Sequence, residues 1–511
     1  MGTAGVVVFI FVVVLCHPVA HGSGPLIHRG RPNSIHGILG LPKSTKQVSD
    51  VRDVKEVWFK QQVDHFNPVS TQTWNQRYFV NKGFHQEGAP VFLMFGGEGA
   101  ASAEWLSKDT FMMVLAEKHN ALAFELEHRY YGLSWPTPDM STDNLAYLNS
   151  QQALADAATF RQAMVEKYNL GDNSKWVVFG GSYSGSLAAW FKLKYPHLAV
   201  GAVASSAPLH AIIDFKDYLR VVRDSLATTN PECDTQVGLA VDHLMYLAST
   251  PAFWPDITSL FRLCSYFNGY NQHDQANLFQ TLAGNFEGVV QYNKDARLSG
   301  GTPNITIDTL CDIMTTLIDD TTALDRFVQV NSLMLKSTSQ SCLDFNYDTF
   351  IDTLRRTDFN NPDAPGGRQW TYQTCVEFGY FQSSDYPRQP FGSLFPVKFF
   401  IKQCQDIFGD TFDEKLLAYA IERTNTMYGS IKPQLRNVTF PNGSIDPWHA
   451  LGVVESLSDD VTAIYINGTA HCADMYPDTP QDPPALREAR KKIAQQVEKW
   501  IERDARYATF E

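Results

Sequence analysis

The stretch Trp176-Val-Val-Phe-Gly-Gly-Ser-Tyr-Ser-Gly-Ser-Leu-Ala-Ala-Trp190 constrains this chain more than any other. Trp176 to Phe179 is an apolar run suited to a buried parallel strand. Gly180 and Gly181 allow a turn that side chains would block, and helical spacing resumes from Leu187 to Leu193 before Pro196 stops it. Strand, tight turn and helix with a serine at the apex describe a nucleophile elbow. Such a turn strains the serine backbone, lifts its hydroxyl above the sheet and aims the next N–H at a developing oxyanion. Ser182 is therefore the expected nucleophile, and the backbone of Tyr183 an expected oxyanion donor. The usual spacing is G-x-S-x-G; the fifth residue here is Ser184, still small enough for helix and strand to pack closely. A match this short also arises by chance, and it gains weight only if an acid and a histidine follow in that order.

Both do. Leu435 to Phe440 reads as a short strand and Pro441-Asn-Gly443 as a turn, which places Asp446 on a loop at a strand's C-terminal end, stiffened by Pro447. Ala463 to Ile466 reads as a last strand, Asn467-Gly468 breaks it, and His471 follows on the loop. In this constellation Ser182 attacks an acyl carbon. His471 takes its proton and later protonates the leaving group, while Asp446 fixes the imidazole tautomer and stabilises its cation. His449 is a rival base, but three residues from Asp446 it lies too near in sequence to bridge to Ser182. A second oxyanion donor is expected after an early strand: Pro90 to Phe95 is followed by Gly96-Gly97-Glu98-Gly99, and Gly97 is the expected N–H, with a simple tight turn as the alternative. Glu98 would repel a developing oxyanion if it pointed inward, so it is expected to hold a neighbouring loop or a substrate amine. Trp448, beside Asp446, is an expected substrate-binding aromatic surface.

Strand and helix alternate from about 57 to 208 and again from about 430; Ala121 to Glu127 reads as another buried strand and Gln152 to Tyr168 as a helix with Ala153, Ala157, Phe160 and Met164 inward. Between them the pattern is mostly helical, as at Phe215 to Ala227, Thr235 to Ala248, Leu310 to Ile318 and Leu324 to Leu335. An amphipathic helix closes the chain, with Leu486, Ile493, Val497, Trp500 and Ile501 on one face. The expected organisation is a signal peptide at 1–22, a polar leader or propeptide at 23–56, a split α/β domain at 57–209 and 421–505, and a helical cap insertion at 210–420. Such a cap favours short peptides over folded proteins as substrates, because a folded surface could not reach Ser182.

The 511 residues are 44% apolar and 19% charged, enough for a large core, and the formal charge of −13 without a Lys/Arg-rich run argues against nucleic acid as a partner. No zinc, dinucleotide or phosphate signature appears, so no cofactor or metal is expected. Val6 to Leu15 followed by Pro18-Val-Ala20 reads as a secretory signal; the block is too short to span a membrane, and no apolar run elsewhere reaches the length a span needs. In an oxidising compartment Cys233, Cys264, Cys311, Cys342, Cys375 and Cys404 are expected to staple the insertion, with fifteen pairings open and Cys472 left over. Asn304, Asn437, Asn442 and Asn467 are glycosylation sequons; those at 442 and 467 lie on the catalytic loops, where a glycan would obstruct substrate, which favours Asn304.

From Phe59 to Trp500 the chain resembles the prolyl-carboxypeptidase and dipeptidyl-peptidase-II family of serine peptidases, peptidase family S28, and most resembles its thymus-specific serine protease branch. The markers are Gln61-Gln-Val-Asp-His-Phe66, Gln76-Arg-Tyr78, Gly96-Gly-Glu-Gly99, Glu127-His-Arg-Tyr-Tyr-Gly132, Tyr147-Leu148, Gln152-Ala-Leu-Ala-Asp156, the elbow, Ala204-Ser-Ser-Ala-Pro208, Gly443 with Asp446-Pro-Trp448, and Ala470-His-Cys472. The resemblance implies an α/β-hydrolase fold with a helical cap and a Ser182, Asp446, His471 triad. It further implies exopeptidase action on short peptides with a preference for cleavage after proline, an acidic endosomal or lysosomal setting, and dimers as in relatives. It also implies the pairs 233 with 311, 264 with 342 and 375 with 404. An esterase or lipase on the same triad, and an inactive binding module, are the competing readings.

Overall fold

The computed structural model describes residues 27–43, 54–107, 109–171, 173–299 and 305–502. The expected signal peptide and Asn304 lie outside them.

Eight strands form the central sheet: β1 (Val54–Gln62), β2 (Thr73–Asn81), β3 (Val91–Phe95), β4 (Leu122–Leu126), β5 (Trp176–Gly181), β6 (Gly201–Ser205), β7 (Val438–Gly443) and β8 (Val461–Ile466). Their spatial order is β1-β2-β4-β3-β5-β6-β7-β8. β1 and β2 pair antiparallel, as do β2 and β4, and every other pairing is parallel. The inner strands are apolar on both faces because helices cover both sides of the sheet. Val91, Leu93 and Phe95 join a core with α2 (Ser150–Lys167) and α3 (Tyr183–Lys194). The alternate residues Phe92 and Met94 face α1 (Phe111–His119) and the C-terminal helix Pro484–Glu502. In α2 the residues Ala153, Ala157, Phe160 and Met164 are buried.

β7 starts and ends later than the sequence pattern suggests, because Pro441-Asn-Gly443 continues the strand instead of turning. Pro441 is tolerated since β7 bonds to β6 only at Val438 and Thr439; further along, its carbonyl accepts from Ser206 N–H at 2.7 Å.

Between β6 and β7 the chain is mostly helical: α4 (Asp217–Thr229), α5 (Cys233–Ser249), α6 (Trp254–Leu260), α7 (Gln272–Gln291), α8 (Ile307–Thr315), α9 (Ala323–Ser337), α10 (Tyr347–Arg355), α11 (Gly367–Gln373), α12 (Val397–Phe408) and α13 (Glu414–Tyr428). This cap carries disulfides Cys233–Cys311, Cys264–Cys342 and Cys375–Cys404. The chain is thus an α/β-hydrolase with a helical cap. No helix among the described residues is long and apolar enough to cross a membrane.

The polar leader departs most from its sequence pattern. Residues 27–43 form an ordered strap wedged between cap and sheet, with Ile27, Arg29, Arg31 and Ile38 buried. It lacks helical or strand periodicity, and it is held by hydrogen bonds to both domains that no sequence period reports.

Candidate active site

Ser182 sits between β5 and α3 with φ +59° and ψ −131°, a backbone conformation that non-glycine residues rarely adopt. The glycines before it make this turn possible. A Cβ on Gly180 would overlap the Ser184 carbonyl, and one on Gly181 would overlap Met475 and stand 2.9 Å from the Cys472 sulfur. Ser184 serves in place of the usual glycine because its hydroxyl turns inward, donating to Gly181 O at 2.8 Å and accepting from Gly181 N–H at 3.0 Å. The loop after β3 faces this elbow: a Cβ on Gly97 would lie 3.3 Å from Ser184 Cβ.

Asp446 ends the loop after β7 and His471 follows β8, and the parallel pairing of these strands brings the two loops together. Asp446 Oδ1 and His471 Nδ1 are 2.8 Å apart and both residues are fully buried. Asp446 Oδ1 also accepts the Trp448 N–H at 2.9 Å, which fixes the carboxylate. Among the described residues His471 Nε2 is buried without a hydrogen-bond partner. With the proton on Nδ1, that nitrogen presents a lone pair on the ring edge away from Asp446. Catalytic hydrogen bonds often close only around substrate. His449 is engaged elsewhere: its Nδ1 lies 2.7 Å from the Asp446 carbonyl and its ring packs edge-on against Tyr465. Burial lowers its pKa.

Glu98 is buried and does not face an oxyanion. Its Oε1 accepts the strap's Ile38 N–H at 2.9 Å and its carbonyl accepts Arg31 Nε at 2.8 Å. Trp448 is buried with its ring centroid 6.3 Å from that of His471. Asn442 cannot be a glycosylation site in this fold, because it is 1% exposed and its amide donates to Val453 O at 2.9 Å. Position 442 is the last side chain of an inner strand before the loop, a context the three-residue sequon does not report. Asn467 is exposed and Asn437 half-buried. Cys472 is free and buried, and burial raises its thiol pKa well above the usual range, leaving it protonated.

Sequence reasoning missed Gln291, at the end of α7. Its Oε1 accepts from Trp448 Nε1 at 2.9 Å and Tyr218 Oη at 2.6 Å, its Nε2 donates to the strap's Gly30 O at 2.9 Å, and its carbonyl accepts His471 N–H at 3.1 Å. One cap residue thus positions both the histidine loop and the tryptophan. A lone glutamine in an amphipathic helix carries no motif by which to find it. His128 was likewise missed: its Nε2 lies 3.0 Å from Tyr183 Oη, which Gln373 Nε2 also reaches at 3.0 Å. Burial lowers the His128 pKa to about 4, so the imidazole is neutral at working pH.

An eight-stranded hydrolase sheet, a serine on a strained elbow and a buried aspartate–histidine pair at the ends of β7 and β8 define a capped α/β-hydrolase of the serine type. The family model described as Serine carboxypeptidase S28 matches residues 61–493, and the chain belongs to that family. It is a serine-type peptidase. Thymus-specific serine protease of Mus musculus is 37% identical over 486 residues, covering 92% of this chain and 91% of that one. Lysosomal Pro-X carboxypeptidase of Homo sapiens is 28% identical over 479 residues, covering 91% and 92%. Among solved structures, proline iminopeptidase of Mycobacterium smegmatis aligns with 12% identity and a TM-score of 0.37, over 87% of this chain and 99% of that one.

Proposed function

We propose that this peptidase hydrolyses short peptides as an exopeptidase, with Ser182 as nucleophile, His471 as general base and then acid, and Asp446 as its orienting partner. The observation that carries this reading is the buried 2.8 Å contact between His471 Nδ1 and Asp446 Oδ1, together with a serine held at φ +59° on the elbow. The aspartate keeps the proton on Nδ1, so Nε2 takes the Ser182 proton as the hydroxyl attacks the scissile carbonyl. The N–H groups of Tyr183 and Gly97 are the proposed oxyanion donors. Nε2 then protonates the leaving amine, and a water deacylates the enzyme by the same path in reverse. A cap over the sheet supports short substrates, since a folded protein surface cannot enter beneath it.

The flat Trp448 face beside His471 supports a preference for proline before the cut, and the printed name of the human relative, Pro-X carboxypeptidase, agrees. That relative's lysosomal label, with the apolar Val6 to Leu15 block, supports a secretory-pathway or lysosomal location. A mixed library of short peptides incubated at pH 5 and pH 7, beside a Ser182→Ala control, tests the reading by product mass. New products ending in proline, absent from the control, are expected. Products identical to the control at both pH values, from protein whose Ser182 is shown to react with a fluorophosphonate, would overturn the peptidase mechanism.

A further inference from the structure

The strap crosses the site between its two walls. At the cap, Gly30 lies against Trp448 so closely that any Cβ would overlap the indole, and its carbonyl is held by Gln291, the residue that also holds the His471 loop. Arg31 to Gly37 lie on the oxyanion loop. Arg31 Nε donates to Glu98 O, Gly37 leaves no room for a side chain beside the Glu98 carbonyl, and Gly99 none beside His36. Farther on, Ile38 O accepts Arg297 Nη1 at 2.7 Å, Leu39 O accepts Tyr476 Oη at 2.6 Å, and Gly40 O accepts Trp105 Nε1 at 3.3 Å. These are backbone contacts of the kind an extended peptide ligand makes. Ser182 is 1% exposed, and Asp446 and His471 are fully buried, so the triad is closed to solvent.

One residue before Gly30, the Arg29 guanidinium fills a cap pocket made of neutral acceptors. Nη1 reaches Thr371 O at 3.4 Å and Thr374 Oγ1; Nη2 reaches Phe400 O at 3.2 Å and Gln403 Oε1 at 3.3 Å; the Phe381 ring lies 4.5 Å from Cζ. No carboxylate is among these partners.

We propose that residues 27–42 are an intramolecular pseudo-substrate that fills the peptide-binding cleft, and that the Arg29 pocket is a subsite for a cationic substrate side chain, one residue from the position on Trp448. The enzyme is then latent until the strap is cut and leaves. This rests on the peptidase reading above, but its primary readout does not need a peptide substrate. Release would expose the Trp448 face, the Gln291 amide and the acceptor pocket together. Burial disfavours the Arg29 charge and draws its pKa down to about 9, so the side chain is still cationic at neutral pH, and the neutral acceptors around it offset part of that cost.

The test uses the full chain and a fluorophosphonate probe that labels the active serine. Gly30→Val must push the strap off Trp448, so labelling of Ser182 should quicken at least tenfold while Ser182→Ala stays unlabelled. A strap that merely supports the site predicts the opposite sign, and slower or unchanged labelling in folded Gly30→Val overturns the proposal. Because that variant could misfold, a second protein carries a specific-protease sequence between residues 44 and 53, cut after folding and separated from its strap by gel filtration. Labelling should rise on cutting, and a synthetic 27–42 peptide added back should suppress it, with its Arg29→Ala version at least tenfold weaker. No rise on cutting, or equal suppression by both peptides, would overturn the latent site or the cationic subsite respectively. Rapid labelling of the strap-free protein without hydrolysis of any library peptide would sustain the strap's role and reject the peptidase mechanism, so the two failures are distinguishable.

Discussion

Asp446 acts through one atom. Its Oδ1 accepts from both His471 Nδ1 and Trp448 N–H, so replacing the carboxylate with an amide presents a donor where the ring needs an acceptor and favours the other tautomer. Asp446→Asn should therefore keep the fold but lower kcat by about 10⁴, the loss seen in such triads, in steady-state assays on a peptide found by the library screen. Glu287 offers a test in pH. It is buried in α7, with Oε1 unpaired among the described residues, and burial alone raises its pKa from 4.5 to about 8. A folded pKa above the unfolded one means that the folded state holds the proton more tightly. Its contribution is full below pH 4.5, is lost as pH rises towards 8, and spans on the order of a few kcal/mol. Glu287→Gln should flatten this decline, so in urea melts its advantage over the parent should grow from pH 5 to pH 8. An equal difference at both values would mean that Glu287 does not titrate in this window.

The elbow was legible as an element because an apolar run, paired glycines and a resumed helical period each report a different part of the same turn. Its energetics follow from what the glycines exclude. Gly180→Ala places a methyl on the Ser184 carbonyl, where neither strand nor helix can retreat; a loss of about 3 kcal/mol is expected from overpacking, read as a shifted urea midpoint with labelling of Ser182 reduced in parallel. A stable, fully active Gly180→Ala would show that the turn has room to relax. Helices of the cap were legible to within a few residues where one face is apolar, as in α4, α5 and α9, whose buried residues recur at helical spacing. The β7 end was misread as a turn because Pro-Asn-Gly is turn chemistry by itself. What makes it a strand is the parallel pairing of Pro441, Asn442 and Gly443 with Ile464, Tyr465 and Ile466 of β8, a property of the neighbouring strand.

At the scale of the molecule, the split sheet and its insertion were legible, whereas the seam between them was not, because it is built from single polar residues far apart in sequence. The strap belongs to that class, and so does Glu377. It lies in a π-helical turn, Thr374–Phe378, of the cap, and its carboxylate accepts Ser150 N–H at 3.0 Å and Ser150 Oγ at 2.7 Å. Ser150 opens α2, so a cap carboxylate satisfies an orphan donor at the positive end of a catalytic-domain helix. Gln373 Nε2 links the same carboxylate, at 3.4 Å, to Tyr183 beside the nucleophile. Removing Glu377 leaves the buried Ser150 N–H unpaired while its hydroxyl keeps Tyr428 Oη at 2.8 Å, so Glu377→Ala should cost about 1–3 kcal/mol and make the cap the first region cut in limited proteolysis. Ser150→Ala keeps the N–H contact, removes the hydroxyl's bonds to Glu377 and Tyr428, and should cost about 1–2 kcal/mol. If the carboxylate works through Ser150, the double variant should cost less than the two single losses added, with a coupling of about 1 kcal/mol in a double-mutant cycle. Strict additivity would place the cap's attachment elsewhere, and the Glu377–Gln373–Tyr183 chain would then have no claim to carry cap movement to the elbow.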